Sequence, residues 1–209
     1  YLKNTDVRRS IISAFNSNLF SAETGNPLTK HIFPSVCTLG NSPYAELSNE
    51  IKGYSNQNPQ ALLRKGLDAI DENSATVTLL CKAEDELLAR KLIQSWQASL
   101  GVAFHITVET TDEYTLQSRI SKGDYQLALG TISFSGNSAS DAAMKFTSDS
   151  RDNISGYSSD GYDAVVKAIP NDPDSTKECE CIVFHNENLK NVGRVTFYLM
   201  RNIGTRDRY

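Results

Sequence analysis

Three histidines, four cysteines and a scatter of serines and acids are the residues of this chain suited to covalent or metal chemistry. His31, His105 and His185 lie far apart, and none falls in the HExxH arrangement that sets two zinc ligands on one helix face. Cys179 and Cys181 form C-x-C rather than the C-x-x-C of zinc and thiol-redox sites. On a helix, two residues of separation would put them about 200° apart, unable to pair. They read as small core hydrophobes, and Cys37 and Cys81 could pair with each other only through a tertiary contact that the sequence does not show. No serine stands in a GxSxG elbow. The glycines from Gly130 to Gly136 have neither the spacing of a dinucleotide loop nor the Lys-Ser/Thr that completes a phosphate loop. Nothing brings a nucleophile and a base into local register. The enzyme reading that survives is a small Cys or Ser hydrolase using His105 or His185. No catalytic centre, metal or cofactor is expected, and the balance tilts towards a binding module.

The composition narrows the class. At 209 residues the chain is long enough for one good-sized domain with its own core, needing no disulfide or metal staple. A net charge of −4, from 21 basic against 25 acidic residues, excludes a nucleic-acid binder driven by bulk charge. No window approaches the roughly 18 uncharged apolar residues of a membrane span. The chain opens at Tyr1 without a charged-then-apolar leader or a lipidation motif.

The elements that must position any site follow from periodicity. Val7, Ile11, Ala14, Phe15 and Leu19 predict a helix over Asp6 to Leu19, capped by Asn4, Thr5 or Asp6, with Arg8 and Arg9 on its outer side. Ser21 to Gln57 is rich in turn signals and reads as a long loop. Asn58-Pro59 opens a second helix in cap-then-proline order, with Ala61, Leu62, Leu63, Leu67 and Ile70 facing inward and Gly66 as its stopping point. Thr76 to Cys81 alternates as a strand. Glu84 to Leu100 is a helix with Leu88, Leu92, Trp96 and Leu100 on one face, and Gly101 ends it. Val102 to Val108 alternates again as a half-buried strand, with His105 on its polar side. Thr111 caps a short helix carrying Tyr114, Gln117 and Ile120, which Gly123 closes. Tyr125 to Leu129 is a buried strand, followed by a loop from Gly130 to Ser138. Further helices are expected at Ser140 to Phe146 and at Asp160 to Ile169, and a strand at Val192 to Met200. Thr176 to Leu189 fits helix or strand, and the tail from Arg201 is polar. The alternation of strand and helix predicts an α/β domain built on an open sheet.

Several of these segments, in order, resemble the C-terminal lobe of family 5 extracellular solute-binding proteins. These are the oligopeptide- and dipeptide-binding subunits of ABC importers. Asp6-Val7-Arg8-Arg9-Ser10-Ile11-Ile12-Ser13-Ala14-Phe15 is similar to the family's VRRAIxxAID helix. Asn58-Pro59-Gln60-Ala61-Leu62-Leu63-Arg64-Lys65-Gly66-Leu67 is similar to its DPexAkxLLxeAG helix. Ala89 to Gly101 with Val102 to Val108 resembles its helix-to-strand unit. Ser121-Lys122-Gly123-Asp124-Tyr125-Gln126-Leu127 resembles l..gdyDl, and Asp160-Gly161-Tyr162-Asp163-Ala164-Val165-Val166 resembles s..yDalv. Val195-Thr196-Phe197-Tyr198 stands where the family has iPLY.

The resemblance implies a mixed α/β fold: an open mixed sheet flanked by helices, one lobe of a type II periplasmic-binding-protein clamshell. It favours a helix at Thr176 to Leu189. It implies that residues 1–209 are a single ligand-binding lobe excised from a longer two-lobed precursor, extracellular or periplasmic and lipid-anchored. Its partners would be a peptide or other small solute, the missing N-terminal lobe and a membrane ABC permease, with no nucleic acid. The expected ligand-binding residues are Thr131, Ile132, Ser133, Phe134, Ser135 and Asn137, in the loop beyond a strand's carboxyl end, where small residues let a ligand approach the backbone. An ungapped match places Ile132 where peptide binders carry an aromatic residue. It places Ser135 where they carry the Asp that pairs with the peptide ammonium. A neutral hydroxyl does not replace that carboxylate, and the nearest acid, Asp141, falls within the next helix. A cell-surface interaction domain that has lost transport is the remaining class.

Overall fold

The computed structural model describes residues 1–24, 38–39, 42–43, 46, 58–134, 138–153, 158–168 and 195–202. The expected loop glycine and serine tract at 135–137, most of 21–57, and 169–194 lie outside the described residues. The chain clusters into two compact units. The first is formed by Tyr1–Leu28, Lys52–Gly130 and Asn191–Phe197, the second by Thr29–Ile51, Thr131–Lys190 and Tyr198–Tyr209.

The first unit begins with α1 (Thr5–Ser13), whose Asn4 side chain accepts from the amides of Asp6 and Val7. The predicted single helix is in fact two. Asn16 accepts from Leu19 N at 2.9 Å and starts α2 (Ser17–Thr24). A strong capping residue in mid-pattern outweighs the continuing apolar period. Arg8 also departs from expectation. It is 5% exposed, and its guanidinium donates to Leu2 O at 2.7 Å and Lys3 O at 2.9 Å, fastening the preceding chain to α1.

Helix α3 (Pro59–Asp68) is capped by Asn58 as predicted, but Gly66 lies inside it rather than ending it. A Cβ on Gly66 would stand 2.7 Å from Val7 Cγ2 and 2.8 Å from Val7 N. The glycine is therefore a helix-packing residue that lets α3 close on α1. Leu63 and Leu67 are buried beside it, whereas Ala61 and Ile70 are exposed.

The sheet starts with β3 (Ala75–Lys82). A short 3-10 turn, Ala83–Asp85, leads into α4 (Glu86–Leu100), and a second, Gly101–Ala103, leads into β4 (Phe104–Thr111). Val102 falls in that second turn and is 93% exposed, so the strand begins two residues later than its apolar run implies. Asp112, not Thr111, caps α5 (Glu113–Lys122), and Gly123 closes it at φ 69°. In β5 (Leu127–Phe134) the strand starts later and runs further than predicted. With β6 (Val195–Asn202), the strand order is β4-β3-β5-β6. β3 pairs in parallel with β4 from Ala75↔Phe104 to Lys82↔Thr111, and in parallel with β5 at Leu79↔Leu127 and Leu80↔Ala128.

This register sorts the side chains by face. Ala75, Val77, Leu79 and Cys81 share one face with Phe104 and Ile106, and all are buried under α4 with its Leu92, Trp96 and Leu100. Trp96 Nε1 donates to Ile11 O at 3.0 Å, tying α4 to α1. The opposite face carries Thr76, Thr78 and Leu80 beside His105, Thr107 and Glu109. Only Leu80 among them is buried, so this side of the β3–β4 pair is polar and open.

In the second unit, β1 (Thr38–Leu39) and β2 (Ser42–Pro43) pair antiparallel, and Thr38 bridges to Ser138. Ser138 caps α6 (Ala139–Met144). Helix α7 (Asp160–Ala168) packs on it through Tyr162, whose hydroxyl donates to Ala143 O at 2.7 Å, with Ala142, Phe146 and Val166 also buried.

Candidate functional site

The order of the sheet marks where a ligand site belongs. The chain places β4 on one side of β3 and then crosses to lay β5 on the other. The winding direction therefore reverses between β3 and β5. In open α/β sheets the loops diverge at such a switch point and leave a crevice beyond the carboxyl ends of the strands. The carboxyl end of β5 is Thr131–Phe134.

Four of the six expected ligand-binding residues, Thr131, Ile132, Ser133 and Phe134, are thus strand residues rather than loop residues. The sequence reading ended the strand at Leu129, where the apolar run gives way to a glycine- and serine-rich stretch from Gly130 to Ser138. In the structure the strand runs on to Phe134. Ser135 and Asn137 lie outside the described residues. Asp141 is in the first turn of α6, where its amide is capped by Ser138 Oγ at 3.2 Å.

The carboxyl ends of β3 and β4 carry charge that sequence reasoning missed. Lys82 Nζ lies 3.1 Å from Glu84 and 4.0 Å from Glu113. The hydrogen bond to Glu84 holds the ammonium pKa above its ordinary value. Lys82 alternates with no apolar partner that would have flagged it.

A second group gathers on the open face. Arg119, from the third turn of α5, ion-pairs with Glu109 of β4 and with Asp124 Oδ2 at 3.2 Å, and its Nε also donates to Asp124 O at 3.1 Å. These partners raise its pKa, the Glu109 bond most. Gln126 Oε1 accepts from Thr78 N at 2.7 Å, one residue before the β3–β5 ladder begins. Together these residues border a cleft of about 410 Å3 floored by Leu80. The pairing of Glu109 with Arg119 is a tertiary event, and no local spacing announces it.

The hydrolase arrangement fails for the one described cysteine. Cys81 is fully buried, and burial, reinforced by Asp85 and Glu86, pushes its thiol up to about 11. A nucleophilic cysteine needs the opposite shift. His105 pairs with Thr76, at the other end of the sheet and on the other face from Cys81, so the two cannot form a dyad. His31, His185, Cys37, Cys179 and Cys181 lie outside the described residues. Among the described residues no three His, Cys, Asp or Glu side chains group around a metal position, and no helix is long and apolar enough to cross a membrane.

No family model matches the sequence, and no curated protein matches it. Solved structures do match the fold. Haemophilus influenzae OppA in complex with RPPGFSPFR is 16% identical with a TM-score of 0.70, over 90% of this chain and 38% of that one. The periplasmic murein tripeptide-binding protein MppA, in an unliganded open form, is 15% identical with a TM-score of 0.70, over 91% and 38%. A peptide-binding protein of a peptide ABC transporter is 17% identical with a TM-score of 0.69, and there the match covers 91% of this chain and 90% of the other. The chain thus spans 38% of the length of the first two. The fold is a mixed α/β one, as expected, and is consistent with a lobe of a type II periplasmic binding protein.

Proposed function

We propose that this chain is the C-terminal ligand-binding lobe of a two-lobed solute receptor that serves an ABC importer. Its other wall would be an N-terminal lobe of the same protein, and it would hand its solute to a membrane permease. In this reading it performs no catalysis. It would work outside the cytoplasmic membrane, in the periplasm or at the cell surface, held by a lipid anchor on the longer protein.

The observation that carries the reading is the reversal of strand order between β3 and β5, the kind of switch point at which open α/β sheets bind ligands. The fold likeness to peptide-binding proteins supports it. The ligand contacts would come from Thr131, Ile132, Ser133, Phe134, Ser135 and Asn137, through backbone groups and small hydroxyls that bond a main chain without reading its side chains. Ile132 and Ser135 replace the aromatic residue and the acid of peptide binders. The lobe therefore supplies no carboxylate there for a buried ammonium, and a peptide ligand would find its counter-charge on the other lobe.

Native mass spectrometry of the full-length protein from its natural source, followed by denaturation, tests this. Release of a peptide or another small solute is the expected result. A protein that carries nothing and binds no member of a peptide library would overturn the receptor reading.

A further inference from the structure

We infer that the cleft on the open face of the β3–β4 pair is a second binding site, for a small neutral polyhydroxylated molecule of the saccharide class. It is distinct from the segment at the end of β5, and the inference does not rest on the receptor reading.

Size and chemistry lead there. The cleft holds about 410 Å3, within the roughly 300–1,000 Å3 usual for small-molecule sites. Its floor is the buried Leu80, and its walls are polar side chains already fixed in place. Arg119 is pinned through Nε and Nη1 by Asp124 and Glu109, and among the described residues its Nη2 has no partner. The Gln126 carbonyl oxygen is committed to Thr78 N. This fixes the orientation of the amide and frees its two N–H donors. Thr78 and Thr107 set their hydroxyls 3.3 Å apart on the same face. Glu109 and Asp124 each bond Arg119 through one carboxylate oxygen and keep the other as an acceptor.

The charges then select the ligand. Two carboxylates around one guanidinium give the cleft a net charge of about −1, which disfavours phosphate, sulfate and carboxylates. A cation would have to approach the central Arg119. A neutral molecule whose hydroxyls both donate and accept meets every unused group. Because the walls are held by one another, little side-chain freedom is lost on binding.

Saturation-transfer NMR on the full protein, with glucose, N-acetylglucosamine and maltose as probes, tests the site. At least one sugar is expected to give a saturable signal, with a Kd on the order of 1 mM. Glu109→Gln and Thr78→Val should each weaken it roughly fivefold, the loss of about one hydrogen bond, with the melting temperature checked in parallel. Both positions are on the open face, so the fold should survive. Absence of a saturable signal, a signal that both folded variants retain, or displacement by inorganic phosphate would each overturn the proposal. A sugar bound between lobes as transported solute would keep its signal in both variants, so this failure and that of the receptor reading are distinguishable.

Discussion

Cys81 shows how strongly a single side chain's surroundings set its chemistry. Its thiol sits in the core under α4, with Asp85 and Glu86 nearby, and both effects disfavour the thiolate. Iodoacetamide at pH 8 should leave it unmodified in the folded protein and label it fully in denaturant, as peptide mass spectrometry would show. The linkage has a definite sign. The folded pKa, about 11, exceeds the unfolded value, so between pH 9 and 11 the folded state holds the extra proton. Stability should therefore fall as pH rises through that window, by about 3 kcal/mol at most. Cys81→Ala should flatten the loss, whatever it costs at neutral pH, and urea titrations at pH 8 and 10.5 would measure it. Arg8 is a second such residue. Arg8→Lys keeps the charge but cannot bond Leu2 O and Lys3 O through one nitrogen and Thr5 Oγ1 through a second. A loss of about 1–3 kcal/mol is expected, with faster hydrogen exchange at the start of α1. The burial of Cys81 on the apolar side of its strand was legible in the sequence, and that of Arg8 was not. An arginine beside another arginine reads as solvated face, and only the returning chain at Leu2 makes it a partner.

Elements were more legible than their ends. The strand–helix–strand core was readable because β3, α4 and β4 carry strong, distinct apolar periods. The errors fall where a cap or a tertiary contact competes with periodicity. Asn16 splits the first helix, Gly101–Ala103 winds a turn through the apolar Val102, and β5 runs past Gly130 to Phe134. Gly66 is the most instructive. Helix propensity alone says that Gly66→Ala should stabilise an interior helical position by about 1 kcal/mol. The contact with Val7 reverses the sign, because the obstructing atoms include backbone. A net loss of about 1–3 kcal/mol is expected from overpacking. A paired Val7→Ala, Gly66→Ala variant should recover part of it, and a gain in stability for the single variant would refute the packing role. The clustering of Glu109, Arg119, Asp124 and Gln126 was not legible, because it arises only when separate elements pack around β3 and β4.

At the scale of the whole chain, the two compact units give separate handles on stability. Tyr162→Phe removes the hydroxyl that bonds Ala143 O and joins α6 to α7, so it should cost about 1 kcal/mol. Hydrogen exchange should register this as faster opening at residues 139–144 and 160–168. Unchanged exchange there would mean that the hydroxyl contributes nothing. The first unit carries its own reporter. Trp96 is the only tryptophan of the chain, is 1% exposed, and bonds the end of α1 through its indole N–H, with the Phe15 ring 6.2 Å away. Its emission is therefore an unlabelled optical gauge of whether α1 stays docked. A red shift that precedes loss of far-ultraviolet ellipticity would time the release of the chain's first helix without any attached dye.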